Sequence, residues 1–230
     1  NYGSLMEMKR LWLGAMNVKG LPARLEHFSR ALLKKPYLLG PMGESYLDPV
    51  ESKPLVYLDS VDCVTFVEHA LALALAPSED SLFTQLQKIR YKDGVISYAT
   101  RKHYLLLDWV GEGKFAKVVP MQGDTAISRT MPKNDFFKAK KMKYLVDGAP
   151  AADPQVSIRY LPYAKACEWA KAARSDSLKV MGVAFIGKSE KIDATHTGFV
   201  ILKPGDVPRL RHASSLRKQV GEQALLEYLQ

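Results

Sequence analysis

Cys63 is the residue of this chain best placed to act as a nucleophile. It follows Asp62 and opens a stretch in which apolar residues recur at helical spacing, so the sequence predicts a helix capped by Asp62 with Cys63 in its first turn. There the positive end of the helix dipole favours a thiolate, and a protonated histidine nearby would lower the pKa of the thiol further. The backbone N–H of Cys63 is also free to bind an oxyanion. A plain buried cysteine is the alternative.

His196 and His212 are the candidate partners of that cysteine. His196 begins a β-prone segment in which His196 and Gly198 share one face, and we expect the glycine to let the cysteine helix approach closely. After a turn, a return strand carries His212, which can then lie beside His196. A histidine base needs its second ring nitrogen held by a polar neighbour. The sequence therefore predicts Cys63 as nucleophile, His196 as base and His212 as the residue that orients the base.

The elements predicted to position these residues are mostly helices in the first half of the chain and mostly strands after Gly113. Helical periodicity predicts helices in the first half and one more near the middle of the second, at residues 5–15, 21–32, 62–76, 82–89, 101–110 and 162–173. Short β-prone runs follow Gly113, at residues 116–119, 124–129, 155–160, 180–186, 195–202 and 209–214. We therefore expect an α+β fold in which the cysteine helix packs on an antiparallel β-sheet.

The length and composition are those of an ordinary globular protein, with 230 residues of which 47% are hydrophobic. This length permits one large domain or two small ones. We favour a single domain, with residues 1–36 as an N-terminal helical extension and residues 37–230 as a catalytic core with insertions. The longest apolar run, Ala70 to Ala76, is much shorter than the roughly 20 residues of a membrane-spanning helix.

The chain carries a net charge of +9, which favours anionic partners such as nucleic acid or the bacterial cell wall. The basic residues are spread along the chain, and the densest cluster, Lys133 to Lys143, is interrupted by Asp135 and two phenylalanines. A solvated basic face explains such a pattern, so we do not expect nucleic-acid binding. Nothing in the sequence indicates an oligomeric state.

The cysteine content gives no disulfide framework, since Cys63 and Cys167 are the only two cysteines. Cys167 lies among alanines in a predicted helix, and we expect it to be buried and inert. A zinc site built from Cys63, His196 and His212 is an alternative, but the chain lacks the close Cys or His pairs typical of zinc sites. We therefore expect neither a metal nor another cofactor.

Three short motifs occur in an order that resembles a known family: Asp62-Cys63-Val64-Thr65-Phe66-Val67-Glu68, then His196-Thr197-Gly198-Phe199-Val200, then His212-Ala213-Ser214. They are similar to the motifs of the NlpC-type papain-like cell-wall peptidases. In that family an Asp-Cys pair opens a helix, a His-x-Gly segment begins a strand, and a His-Ala segment supplies the third catalytic residue. The resemblance implies a papain-like core with a Cys-His-His triad.

Segments between these motifs resemble one branch of that superfamily, the N-acetylmuramoyl-L-alanine amidases. They are Gly40 to Glu44, Ile89 to Gly94, Arg101 to Tyr104, and Asp108-Trp109. The resemblance spans roughly Tyr37 to Val220. It implies hydrolysis of the amide between the lactyl group of muramic acid and L-alanine in disaccharide-peptide fragments of peptidoglycan, with anhydro-muropeptides as one option. No metal takes part in that reaction.

Four residues of the matching segments are candidates for contact with such a substrate: Arg101, His103, Tyr104 and Trp109. They offer charge, hydrogen bonds and aromatic faces suited to a sugar-peptide ligand. The alternative is that Tyr104 and Trp109 are core residues and Arg101 a surface charge.

Other functions use the same residues. A peptidoglycan stem-peptide endopeptidase and a papain-like acyltransferase or transglutaminase share the cysteine and histidine chemistry, and an inactive wall-binding module would use the fold alone. The first residue is Asn1 rather than Met, which fits removal of a signal peptide. We therefore expect a periplasmic or otherwise extracytoplasmic location.

Overall fold

The computed structural model describes residues 2–42, 54–133 and 152–230. Gly43 and Glu44 of the resemblance motif, and the basic cluster beyond Lys133, lie outside these residues. The first half is helical, with α1 (Tyr2–Gly14), α2 (Leu21–Ala31), α3 (Cys63–Leu75) and α4 (Leu82–Arg90), so the first four predicted helices are confirmed.

Shorter helical turns follow α3 and α4. Two are 3-10 turns, Glu79–Ser81 and Lys92–Gly94, and one is a π-helical turn, Leu105–Val110. The helix predicted from residue 101 is wrong in its first part, because residues 101–104 are not helical and Arg101 instead forms a β-bridge with Tyr91.

The second half forms two antiparallel sheets rather than one. The smaller sheet pairs β1 (Thr125–Thr130) with β2 (Gln155–Tyr160). The larger has the order β3 (Lys179–Phe185), β4 (His196–Leu202), β5 (Arg209–Ser214) and β6 (Gln219–Ala224). Helix α5 (Tyr163–Ala172) precedes β3, and the short helix α6 (Leu225–Leu229) follows β6.

Two details of the strand prediction are wrong. Residues 116–119 are irregular, and the side chains of Val118 and Val119 are exposed, so β-propensity alone does not make a strand there. Strand β6 was not predicted, because Gln219–Ala224 is largely polar and owes its conformation to pairing with β5 along its whole length.

Helix α3 lies at the centre of the molecule. Every residue from Thr65 to Ala74 is buried, the polar Glu68 and His69 included. A capping box fixes its start: Asp62 Oδ1 accepts from Thr65 N at 2.8 Å, and Thr65 Oγ1 accepts from Asp62 N at 2.9 Å. Helices α2 and α4 and strand β4 all pack against α3.

The two faces of the larger sheet pack against different helices. Phe199, Ile201 and Ala213 face α3, where the rings of Phe66 and Phe199 are 5.7 Å apart. The side chains that alternate with these along the strands, such as Val200 and Leu210, point to the other face. There they pack with Ala170 of α5 and Leu225 of α6. The α+β fold with the cysteine helix packed on an antiparallel sheet is therefore confirmed. None of the described helices is long and apolar enough to cross a membrane.

Candidate active site

Cys63 is the first residue of α3, and its side chain is half-buried. Its thiol lies within hydrogen-bonding reach of the backbone N–H of Thr197, the residue directly after His196. The N–H groups of Thr197, Val64 and Cys63 favour the thiolate. Burial, and next the charge of Asp62, outweigh them and raise the pKa of the thiol. The expected shift toward a thiolate is therefore wrong, because burial opposes the charged form more than the helix start favours it.

His196 and His212 are in direct contact. The Nε2 atom of His196 lies 2.7 Å from Nδ1 of His212, so one nitrogen donates a hydrogen to the other. This bond leaves Nδ1 of His196 as the ring nitrogen available to a thiol. Burial lowers the pKa of His196, and burial, together with His196 and Arg217, lowers that of His212 to about 4. Both rings are therefore neutral near pH 7.

Gly198 permits the contact between the histidines, but not in the predicted way. A Cβ atom at this position would lie 2.7 Å from the carbonyl oxygen of Arg211 and 2.9 Å from Cβ of His212. The close approach is therefore made by β5, and not by the cysteine helix. The face of β4 that carries His196 and Gly198 points away from α3. The Cys63 thiol meets β4 at the backbone N–H of Thr197, at the end of the sheet where α3 and β4 both begin.

Two buried charged residues hold the loop that leads into β4. Arg129 of β1 donates to the carbonyl oxygens of Gly187, Ser189 and Ile192, at 2.6, 3.1 and 3.1 Å. Asp193 Oδ2 accepts from the backbone N–H groups of Leu106 and Leu107 at 2.6 and 2.8 Å. These bonds fix the position at which His196 enters the sheet. Sequence reasoning missed both residues, because a single charged residue gives no signal of partners so distant along the chain.

The four residues predicted to contact substrate lie on the segment that Asp193 holds. His103 Nε2 is 3.0 Å from the carbonyl oxygen of Tyr98, and burial lowers its pKa to about 4. Arg101 is half-buried, whereas Tyr104 and Trp109 are 6% and 4% exposed. Trp109 packs within the main hydrophobic core, so it has the core position that was its alternative. Substrate contact by Arg101, His103, Tyr104 and Trp109 remains a prediction.

Aromatic residues that the sequence did not single out surround the histidines. The Tyr228 ring centroid is 6.0 Å from that of His196 and 5.1 Å from that of His212. Phe185 of β3 is also 5.8 Å from the ring of His196. Burial, and then the charge of Cys63, raise the pKa values of Tyr228 and Tyr37. The sequence did not indicate Tyr228 as a site residue, because helix α6 was not predicted.

The other cysteine lies outside this site. Cys167 in α5 is half-buried rather than buried, and its thiol interacts with the side chain of Tyr163. Within residues 2–42, 54–133 and 152–230, no three histidine, cysteine or acidic side chains are grouped so that they could hold a metal ion.

Comparison with known proteins agrees with this architecture. No functionally curated protein matches the chain. A crystal structure of a Legionella pneumophila protein superimposes with a TM-score of 0.75 at 18% identity, covering 99% of this chain and 89% of that one, and shows the fold alone. An N-acetylmuramoyl-L-alanine amidase from Bacteroides uniformis superimposes with a TM-score of 0.65 at 25% identity, covering 90% and 92% of the two chains.

The family model described as AmiA-like, N-acetylmuramoyl-L-alanine amidase-like, matches residues 27–230. This range includes Cys63, both histidines and every strand of the two sheets. The chain therefore belongs to the N-acetylmuramoyl-L-alanine amidase-like family.

Proposed function

We propose that this protein is a cysteine amidase that hydrolyses the bond between the lactyl group of N-acetylmuramic acid and L-alanine in peptidoglycan fragments. The observation that carries the proposal is the 2.7 Å contact between His196 Nε2 and His212 Nδ1, on a strand whose next residue, Thr197, has its backbone N–H within reach of the Cys63 thiol. This contact directs the other ring nitrogen of His196 toward proton transfer. Membership of the amidase-like family supports the choice of bond and substrate.

The first half of the reaction would form a thioester. Cys63 Sγ attacks the lactyl carbonyl carbon while its proton passes to Nδ1 of His196. The carbonyl oxygen becomes an oxyanion near the N–H of Cys63, which has no acceptor inside α3 because it lies in the first turn. The C–N bond then breaks, and His196 gives the proton to the departing nitrogen of L-alanine.

The second half would regenerate the enzyme. His196 takes a proton from water, whose oxygen attacks the thioester carbon, and the proton returns to Sγ as the C–S bond breaks. The products are a muramic acid carboxylate and a free stem peptide. Throughout, the Nε2–H of His196 donates to Nδ1 of His212, which fixes the ring orientation and stabilises the imidazolium. Because the resting thiol and imidazole are both neutral, the ion pair forms only as the proton moves.

Incubation with disaccharide-peptides released from peptidoglycan by a muramidase tests this proposal. Mass spectrometry should detect the free stem peptide with the wild type, and none with Cys63→Ala. Cys167→Ala is the matched control, because it removes the other thiol, which lies outside the site. Circular dichroism should show that both variants are folded. Full activity in Cys63→Ala would exclude the proposed nucleophile.

The products also separate the alternatives. Cleavage within the stem peptide would indicate an endopeptidase, and acyl transfer to an amine without hydrolysis would indicate an acyltransferase. The substrate would place the enzyme where peptidoglycan fragments arise, so we propose an extracytoplasmic, periplasmic location. Fractionation of the source cells, followed by immunodetection of the protein, tests this.

A further inference from the structure

Three rings surround the imidazole of the proposed base, His196: those of Phe185, Tyr228 and His212. The imidazole of His196 stacks on Phe185 and on Tyr228, with interplanar angles of 25° and 28°. Tyr228 also meets the ring of His212 edge-on at 73°, and its centroid is 4.8 Å from that of Phe185. Both histidine rings therefore contact Tyr228 while they contact each other.

Helix α6 packs on the same face of the sheet as the histidines and holds Tyr228 in place. The backbone N–H of Leu225 donates to the carbonyl oxygen of Pro208 at 2.8 Å. The Leu225 side chain is buried against Val200 and Leu210. Residues three apart in a helix share a face, so the anchoring of Leu225 also directs Tyr228 toward the histidines.

The stacked geometry has a consequence for charge. An aromatic ring offers its negative π face to a cation within about 6 Å, and the effect is larger where water is excluded. His196 is buried enough that its pKa is lowered, so desolvation opposes the imidazolium that the reaction requires. The rings of Phe185 and Tyr228 act in the opposite direction.

We propose that Tyr228 is a positioning residue whose ring keeps the imidazoles of His196 and His212 aligned and favours the protonated form of His196. This inference rests on the proposed function for its effect on turnover. Its effect on the thiol is independent of any substrate, because an imidazolium at His196 also stabilises the thiolate of Cys63. The ring is required, and the phenolic hydroxyl is not.

Two measurements test the role of the ring in a Cys167→Ala background, where Cys63 is the only thiol. One is the rate at which iodoacetamide alkylates Cys63 across a range of pH, and the other is the pair kcat and KM on the disaccharide-peptides. The variants are Tyr228→Leu and Tyr228→Phe. Leu226→Ala is the matched control, since Leu226 packs on the same apolar cluster and has no ring contact with the histidines.

Tyr228→Leu should lower kcat about tenfold with KM changed by less than about twofold, because a positioning defect acts on the transition state rather than on binding. Alkylation at neutral pH should slow by a similar factor, and the alkylation profile should shift to higher pH. Tyr228→Phe should restore both quantities to wild-type values. Leu226→Ala should lower the melting temperature without changing either one.

Three results would overturn the inference. They are a wild-type kcat and alkylation profile in Tyr228→Leu, an equal loss in Tyr228→Phe, and an increase in KM with kcat unchanged. Failure of the proposed function can be distinguished from failure of this inference. If no muropeptide is cleaved but alkylation responds to Tyr228→Leu as expected, the substrate is wrong and the role of the ring stands.

Discussion

The two faces of the four-stranded sheet differ in what their side chains do. The face toward α3 carries Phe199, Ile201 and Ala213, which continue the main hydrophobic core. The opposite face carries His196 and His212 at its end, next to aromatic side chains. Because successive residues of a strand point to opposite sides, a single segment such as β4 supplies both faces.

The comparison shows how the proposed chemistry and the stability are separated within one strand. Changes at Phe199 and Ile201 of β4 should act on folding, and changes at His196 and Gly198 should act on catalysis. Cys63 is in helix α3, which packs on the core side of the sheet. Its thiol meets β4 only at the end of the sheet where both elements begin. Four predictions test this division.

The largest effect is expected for His196→Ala. Loss of the general base should lower kcat by about 10³-fold or more, while the free energy of unfolding stays near the wild-type value, since the imidazole contributes little to the main core. Turnover of the disaccharide-peptides and urea unfolding measure the two quantities. If His196→Ala unfolds the protein, the division between the faces is wrong.

Phe199→Ala tests the opposite face. Removing a fully packed ring from the core should lower the free energy of unfolding by about 3–5 kcal/mol. The folded fraction should keep a kcat within a few-fold of the wild type, because Phe199 points away from the histidines. Urea unfolding and kcat corrected for the folded fraction measure this. A large loss of kcat with little loss of stability would contradict it.

Gly198→Ala should act on the catalytic face through β5. The added methyl would meet the carbonyl oxygen of Arg211 and Cβ of His212, so β5 must shift and the bond between the histidines must lengthen. We expect kcat to fall about 10–100-fold, in the range seen when the orientation of a catalytic group is disturbed. Gly182→Ala on β3 is the matched control, because a Cβ there meets no atom within 4 Å. Equal losses in the two variants would argue against a specific role for Gly198.

The pH dependence of stability should show contributions from both sides of the sheet. Burial is the main cause that lowers the pKa values of His69, His103 and His212 to about 4. The unfolded chain binds these protons near pH 6.5, before the folded protein does. Stability should therefore fall as the pH drops from about 6.5 to about 4, by on the order of 1–3 kcal/mol per histidine, and this loss should stop at lower pH.

Urea unfolding at pH 7.5, 6 and 5 measures this slope. In His212→Gln, the free energy of unfolding should change less with pH, by the contribution of one histidine. The contribution of His69, which lies in α3, should remain. A slope that is unchanged in His212→Gln would contradict the assigned burial of this ring.

Much of the site follows from local sequence rules. The Asp62 cap and the apolar spacing after it predict the helix that begins at Cys63. The alternation along β4 and β5 predicts that His196 and His212 share a face. These features depend on neighbours within a few residues or on one tight turn, and the structure has them. The catalytic roles of the three residues remain a prediction.

Other features depend on packing between distant segments. Alternation defines two faces of β4 but does not tell which face α3 covers, so the reason given for Gly198 was wrong. The pKa direction of Cys63 depends on how deeply its thiol is buried, which no local pattern reveals. Tyr228 is brought to the site by α6, whose place is set by the unpredicted strand β6.

The loop that leads into β4, which Arg129 and Asp193 hold, has a consequence for the order in which the protein folds. Arg129 and Asp193 join segments that are 58 to 87 residues apart, and both connections hold the loop that leads to His196. Contacts between such distant segments form late, because closing long loops costs more chain entropy than forming helices. After dilution from urea, the helical signal in circular dichroism should therefore recover before amidase activity does.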